Sequence, residues 1–330
     1  MRPASVTSDD SRPPGPAEFE EARRRVSAHA YHTPLLTSRT LSAATGFEVR
    51  LKAEMFQRTG SYKIRGPLNK FARLSEAQKQ RGVICSSAGN HAQGVALAAA
   101  IHGIKAVVVM AENATPSKVA ATRGYGAEVV LHGTIWDEAN ERARELVRER
   151  GYTYVHPFDD LELIAGQGTV GLEIMEDWPQ ADVLVVPIGG GGLISGIALA
   201  AKTRKPGVRI IGVESSGAPG MQQSVAAGHP VVLDRVDCVI DGLRVRRVGD
   251  HNVAIVRRVV DEIVTLPDAE IFDAMLWVMQ HCKLVVEGAA AAPVGALLQG
   301  LVKAPPGTRV VCVLSGGNVG LEQLRGLSWN

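Results

Sequence analysis

From residue 49 onward the chain alternates short runs of β-branched and aliphatic residues with longer stretches whose apolar positions recur at helical spacing. The apolar runs predict strands over 49–55, 83–86, 105–110, 128–131, 153–156, 183–188, 209–214, 263–266 and 309–314. Helical spacing predicts helices over 90–101, 117–123, 135–150, 193–202, 268–281 and 289–302, after a first amphipathic helix over 17–30. Regular alternation of this kind implies an α/β fold with largely parallel sheet. No repeat, low-complexity block or Gly/Ser linker divides the chain, so a second domain is expected as an insertion within the first.

Composition narrows the partners more than the fold. The 330 residues, 45% hydrophobic and 21% charged, suffice for two lobes of ordinary size. Lys and Arg number 36 against 34 Asp and Glu, a net charge of +2, and no basic stripe is interleaved with aromatics. Nucleic acid and membrane are therefore poorly supported as partners, and a small molecule is expected. Cys85, Cys238, Cys282 and Cys312 are widely spaced and form no C-x-x-C pair, so they read as reduced core residues. The first sixteen residues are rich in Pro, Ser and Asp and lack an apolar core, which reads as a disordered leader and not a signal peptide. With no stretch of 18 apolar residues, the protein is expected to be soluble and cytoplasmic.

Three Gly-rich segments directly follow apolar runs, and a parallel α/β sheet gathers its ligands at such strand ends. Gly189-Gly190-Gly191-Gly192 precedes a helix beginning near Leu193, where bare backbone can wrap a phosphate against the positive helix end. A tight turn is the plain alternative, but it does not need four glycines. Ser86-Ser87-Ala88-Gly89-Asn90-His91 opens a second apolar helix and suits a carboxylate, although Ser87 or Asn90 could merely cap that helix. Ser315-Gly316-Gly317-Asn318 is by itself an ordinary turn sequence. Lys63 stands in Gly60-Ser61-Tyr62-Lys63. A lysine is usually a solvated surface residue, but beside a phosphate crevice a desolvated one can form a Schiff base. The histidines show no H-E-x-x-H pattern and no metal is expected; Asp159-Asp160 reads as a cap for a helix starting near Leu161, and Glu287 as a further capping acid.

Taken together, residues 57–66 (Gln-Arg-Thr-Gly-Ser-Tyr-Lys-Ile-Arg-Gly), 87–94, 156–160, 164–169, 187–192 and 315–318 occur in the order found in the fold-type II pyridoxal-phosphate enzymes. The chain resembles their threonine/serine dehydratase and serine racemase branch from about Thr33 to Asn318. The resemblance implies that Lys63 holds pyridoxal 5'-phosphate as a Schiff base and that Tyr62 lies against its ring. It further assigns Asn90 to the phenolic oxygen, Gly189, Gly190, Gly191, Gly192 and Leu193 to the phosphate, Ser315 to the pyridine nitrogen, and Gly242 to a close pass by the cofactor. The loop Ser87, Ala88, Gly89, Asn90 and His91 would take the carboxylate of an amino-acid substrate. Family organisation places the small domain at 48–153, inserted into a large domain of 17–47 and 154–330, in a homodimer.

Within that branch, racemases carry a second serine at the position of Ala88 as an acid/base on the opposite cofactor face, and alanine cannot transfer protons. The expected reaction is thus loss of water from a β-hydroxy amino acid, threonine first and serine second, with a serine or amino-acid racemase, or a dehydratase of another β-hydroxy amino acid, as the alternatives. A non-catalytic amino-acid-binding protein has no need of Lys63. Members with a cation site pair an acid at Glu214 with another six residues later, where this chain has Gly220.

Overall fold

The computed structural model describes residues 12–327, so the expected leader lies outside the described residues up to position 11. Among the described residues ten strands form two sheets: β1 (Leu35–Thr37), β2 (Glu48–Ala53), β3 (Val83–Ser86), β4 (Ala106–Met110), β5 (Glu128–Leu131), β6 (Thr153–Tyr154), β7 (Val183–Pro187), β8 (Arg209–Ser215), β9 (Glu262–Leu266) and β10 (Arg309–Leu314). The six-stranded sheet has the order β1-β2-β10-β7-β8-β9 and the four-stranded sheet β5-β4-β3-β6. Every pairing is parallel except β1 with β2. The smaller sheet is built wholly from chain between β2 and β7, which makes it an insertion in the larger one.

Parallel strands covered by helices on both faces bury every side chain, and successive residues serve opposite cores. Along β7, Val183 and Val185 enter one core cluster while Leu184 and Val186 enter the other. In the smaller sheet Val83 and Cys85 face one side and Ile84 the other. The four cysteines are free thiols, and Cys85, Cys238 and Cys312 are fully buried in these cores.

One expected placement is corrected. The strand at Glu48–Ala53, taken with the smaller lobe from residue 48, pairs with β1 and β10 in the larger sheet. Its Val49 and Leu51 pack in the same core as Val183 and Val310, so burial and not sequence proximity decides its sheet. The first helix spans Pro16–Ser27, and the helix expected over 268–281 ends at Trp277 in a π-helical turn, Val278–Cys282.

The strand order creates a switch point in each sheet. From β7 the chain runs outward through β8 and β9, whereas β10 lies on the other side of β7. From β3 it runs outward through β4 and β5, whereas β6 lies on the other side. Crevices beyond the carboxyl ends of strands at such points are where open α/β sheets bind ligands. The loops leaving β7, β10 and β3 are the three Gly-rich segments.

Candidate active site

Lys63 lies in a 3₁₀ turn, Tyr62–Ile64, that leads straight into the helix Arg65–Arg73. Its position is set from three sides. The Tyr62 amide donates to the Ser315 carbonyl at 3.1 Å and the Gly317 amide to the Gly60 carbonyl at 2.9 Å, so the lysine segment runs antiparallel to the loop after β10. On the second side, helix Asn90–Ile101 presses Gly94 against the lysine backbone, where an added Cβ would sit 2.6 Å from the Lys63 oxygen. On the third, the fully buried Arg65 donates its fork to Glu54 (2.8 and 2.8 Å) and to Glu173 (2.6 and 2.9 Å), while buried Lys52 reaches Glu173 at 2.6 Å. Two cations and two carboxylates compensate one another in this cluster, and removal of one partner would leave a buried charge unpaired. The turn carrying Lys63 is thereby held against both Glu54 and the helix Leu161–Asp177 that bears Glu173.

The lysine Nζ donates to the Pro157 carbonyl at 2.9 Å and stands 5.3 Å from the Tyr62 ring centre. Burial pushes its pKa down to about 8, against the opposing pull of the Glu287 carboxylate. A substantial neutral fraction near neutral pH is what a Schiff-base amine requires.

Next to Pro157, the ring of Phe158 closes over the glycine loop, where a Cβ on Gly190 would meet it at 2.2 Å. Gly191 has φ +98°, in the left-handed region that favours glycine, and starts the helix Gly192–Arg204, which carries buried Leu193 in its first turn. Gly242 approaches so closely that a Cβ on Gly189 would lie 2.3 Å from its carbonyl oxygen. Asn252 donates through Nδ2 to the carbonyls of Gly190 (3.0 Å) and Phe158 (3.1 Å). With its carbonyls tied back this way, the loop leaves the amides of Gly189 to Leu193 with no protein acceptor among the described residues. Converging free amides at a helix start form an anion cradle.

The loop after β3 behaves similarly. Ser87 accepts from the Gly89 amide at 3.3 Å and the helix starting at Asn90 has no side-chain cap, so the capping alternative fails. The amides of Ala88, Asn90, His91 and Ala92 have no protein acceptor among the described residues. The buried His91 ring sets Nε2 against the Val155 carbonyl at 3.1 Å, while its Nδ1 has no partner; burial pushes its pKa down to about 3, so the ring is neutral. Asn90 turns towards the loop after β10: its Nδ2 donates to both oxygens of Glu287 at 2.8 and 2.9 Å, and its Oδ1 accepts from Asn318 at 2.8 Å.

The three loops and the lysine turn therefore meet in one ring of contacts. It runs from the Gly189 loop through Phe158 and Pro157 to Lys63, from Tyr62 to Ser315, and through Asn318 to Asn90. Pro157, Phe158, Asn252 and Asn318 had no individual role assigned from the sequence, and Glu287 had a different one. Glu287, expected to cap the helix Gly288–Leu298, makes no cap and points into the ring. Pro157 acts through a backbone carbonyl, which leaves no sequence signal, and Asn252 is recognisable only once its helix, Asp250–Val259, is seen beside the glycine loop. Asp160 caps Leu161–Asp177 as expected, whereas Asp159 accepts from the Asp250 and His251 amides at 3.0 Å each. Glu214 turns both oxygens to the amides of Met221 and Gln222, at 2.7 and 2.8 Å.

A desolvated lysine, an anion cradle with no room for side chains, and a second helix start with free amides fit an aldehyde cofactor with a phosphate tail and an amino-acid carboxylate. The comparisons with known proteins agree. The model of the family described as pyridoxal-phosphate dependent enzyme matches residues 26–316. The L-threonine ammonia-lyase of Thermotoga maritima is 46% identical over 308 residues, covering 93% of this chain and 76% of that protein. The catabolic L-threonine dehydratase TdcB of Escherichia coli K12 is 44% identical over 305 residues, covering 92% of this chain and 93% of that protein. Among solved structures, maize serine racemase superposes with a TM-score of 0.91 at 36% identity, covering 95% of this chain and 96% of the other. The chain belongs to the family of pyridoxal-phosphate-dependent enzymes.

The lowered lysine pKa has a kinetic consequence. With Lys63 as the Schiff-base amine, covalent loading of the apoprotein should speed up about tenfold per pH unit below about 8 and level off above it, because only the neutral amine would attack the aldehyde. Borohydride-fixed cofactor, measured against time across the pH range, checks this. A rate still rising steeply past pH 9, as for an unperturbed lysine, would contradict the burial of the amine.

Proposed function

We propose that the protein is a threonine ammonia-lyase, converting L-threonine to 2-oxobutanoate and ammonia and L-serine to pyruvate and ammonia. The observation that carries this reading is Lys63, an amine of lowered pKa at the meeting point of the three loops, in a chain 44% to 46% identical to a threonine ammonia-lyase and a threonine dehydratase. The residues that would hold the cofactor are Lys63 at its aldehyde, Gly189, Gly190, Gly191, Gly192 and Leu193 at its phosphate, Asn90 at its phenolic oxygen and Ser315 at its pyridine nitrogen, with Tyr62 and Gly242 beside its ring. When bound, pyridoxal phosphate supplies an electron sink for the charge left by removal of a substrate α-proton.

The chain's own residues do the rest. The free amides of Ala88, Asn90, His91 and Ala92 bind the substrate carboxylate at a positive helix start. Lys63 takes the α-proton on Nζ, a transfer its lowered pKa favours near neutral pH. At the pyridine nitrogen the neutral Ser315 hydroxyl would supply a hydrogen-bond partner without the negative charge that favours protonation there, an environment suited to prompt loss of the β-hydroxyl. Neutral His91 brings no positive charge that would raise the cost of protonating Lys63.

A racemase is the second reading, favoured by the similarity to maize serine racemase. Ala88 weighs against it, because a methyl group stands where the second acid/base would have to be. Wild-type enzyme should release 2-oxo acid from L-threonine and L-serine and form little D-serine. Ala88→Ser should raise D-serine formation relative to pyruvate about tenfold or more, at or below the roughly 10²- to 10⁴-fold that one well-positioned acid/base contributes. Chiral chromatography of both products decides it, and wild-type protein that makes D-serine faster than pyruvate would reverse the choice.

The protein is proposed to be cytoplasmic, a reading supported by its four free thiols, and homodimeric, as family resemblance suggests. Among the described residues no helix is long and apolar enough to cross a membrane. The division into domains at 48–153 and its flanking segments is kept as a proposal, with β2 assigned to the larger sheet.

A further inference from the structure

We infer that Glu287 is a positioning residue of this site, which together with Asn318 fixes the side-chain amide of Asn90 so that its nitrogen is held as the donor end. The inference rests on the cofactor reading above, in which Asn90 must offer an N–H to a phenolic oxygen. A side-chain amide can flip end for end, and only its partners decide which way it points. Here both ends of the chain of bonds are fixed. Asn318 donates through Nδ2 to the Thr59 carbonyl at 2.7 Å and to Asn90 Oδ1 at 2.8 Å, while Asn90 Nδ2 donates to both Glu287 oxygens at 2.8 and 2.9 Å. The Thr59 carbonyl can only accept, which fixes the Asn318 amide whatever the state of Glu287, and the ionised Glu287 carboxylate likewise only accepts. Flipping Asn90 would set its oxygen against the carboxylate and its nitrogen against the Asn318 nitrogen, and both contacts would be repulsive.

Local structure is arranged to bring Glu287 there. The residue stands at the start of Gly288–Leu298 but makes no side-chain cap, leaving its carboxylate free to turn inward. Its amide donates to the Gly316 carbonyl at 3.1 Å, and Gly316 leaves room for the carboxylate, since a Cβ there would lie 2.8 Å from Glu287 Oε1. Burial pushes the Glu287 carboxyl up to about 7; Asp241 adds to that push, while the Asn90 amide and the Lys63 and Lys118 cations oppose it.

A double-mutant cycle on the holoenzyme tests this. Pyridoxal-phosphate retention, by equilibrium dialysis, and the position of its bound absorption band are compared for wild type, Glu287→Ala, Glu287→Gln, Asn90→Ala and the Asn90→Ala/Glu287→Ala pair. Glu287→Ala is expected to weaken retention about tenfold and shift the band, and Glu287→Gln to stay within about threefold, because its oxygen accepts the same bond. In the Asn90→Ala background Glu287→Ala should leave retention unchanged, the band there reporting only the lost charge beside Lys63. Equal losses of retention with and without Asn90 overturn the positioning role. Should Glu287→Ala fail to fold, Asn318→Ala at the exposed end carries the same comparison, with about a threefold loss expected only when Asn90 is present. A wild-type chain that takes up no pyridoxal phosphate would sink the proposed function itself, a result visible before any variant is compared.

Discussion

Replacing Lys63 by alanine should lower turnover of L-threonine roughly 10⁴-fold or more and remove the borohydride-reducible absorption band, because in the proposed mechanism the variant loses both the covalent anchor and the group that takes the α-proton. No second lysine is among the residues brought to the ring. Lys52, close by in sequence, is fully buried against Glu173 at 2.6 Å and the Thr33 carbonyl at 2.7 Å, and Lys118 is paired with Asp241 at 2.6 Å. Folding should be spared. The substitution removes one hydrogen bond to Pro157 and relieves the desolvation that lowers the amine pKa, while the Arg65 cluster that fixes the turn is untouched. A thermal midpoint within a few degrees of wild type, with the band absent, is the expected pair of results. A variant that keeps a borohydride-reducible band would show the anchor to be elsewhere.

The parts of this site differ in how far the sequence reveals them, and the difference is physical. Parallel strands buried on both faces are largely apolar, so β3 and β10 are read with the bounds observed; the edge strand β5, half exposed, is read from its Val-Val-Leu run, and helix Asn90–Ile101 from its apolar spacing. The loops at their ends are legible because glycine is demanded where backbone segments crowd together and side chains are shut out by Phe158 and Gly242. Pairing between distant segments carries no such local mark. β2 and β10 adjoin in the sheet with more than 250 residues between them, so nothing around Glu48 announces which sheet it joins. β1 is only three residues long, too short to show a period. Glu287 illustrates the same limit for a side chain: an acid before a helix is a reasonable cap by local rules, and only the arrival of Asn90, 197 residues away in sequence, gives its carboxylate another partner. Local chemistry is written locally, whereas the partner of a turned-in side chain is decided by the fold.

Gly191→Asp should weaken pyridoxal-phosphate retention roughly 100-fold beyond Gly191→Asn, with the two variants melting within a few degrees of each other. The comparison needs both variants, because this glycine is constrained for two separate reasons. Its φ of +98° is unfavourable for any residue with a side chain, and a Cβ there would lie 2.5 Å from the Met221 methyl and 2.7 Å from the Asn252 Cβ. Either substitution thus strains the fold and displaces neighbours, and a loss of retention in Gly191→Asp alone would not separate strain from charge. Asp and Asn are nearly the same size and are among the side chains best tolerated at positive φ, so they impose a similar strain. Only Asp sets a negative charge where the unpaired amides of Gly189 to Leu193 converge, and like charges a few ångströms apart in a partly desolvated site repel by several kcal/mol. Retention after dialysis at two ionic strengths reads the difference, which added salt should shrink. If both variants lose the cofactor equally, at either salt concentration, the loop is a strained turn and not the phosphate cradle.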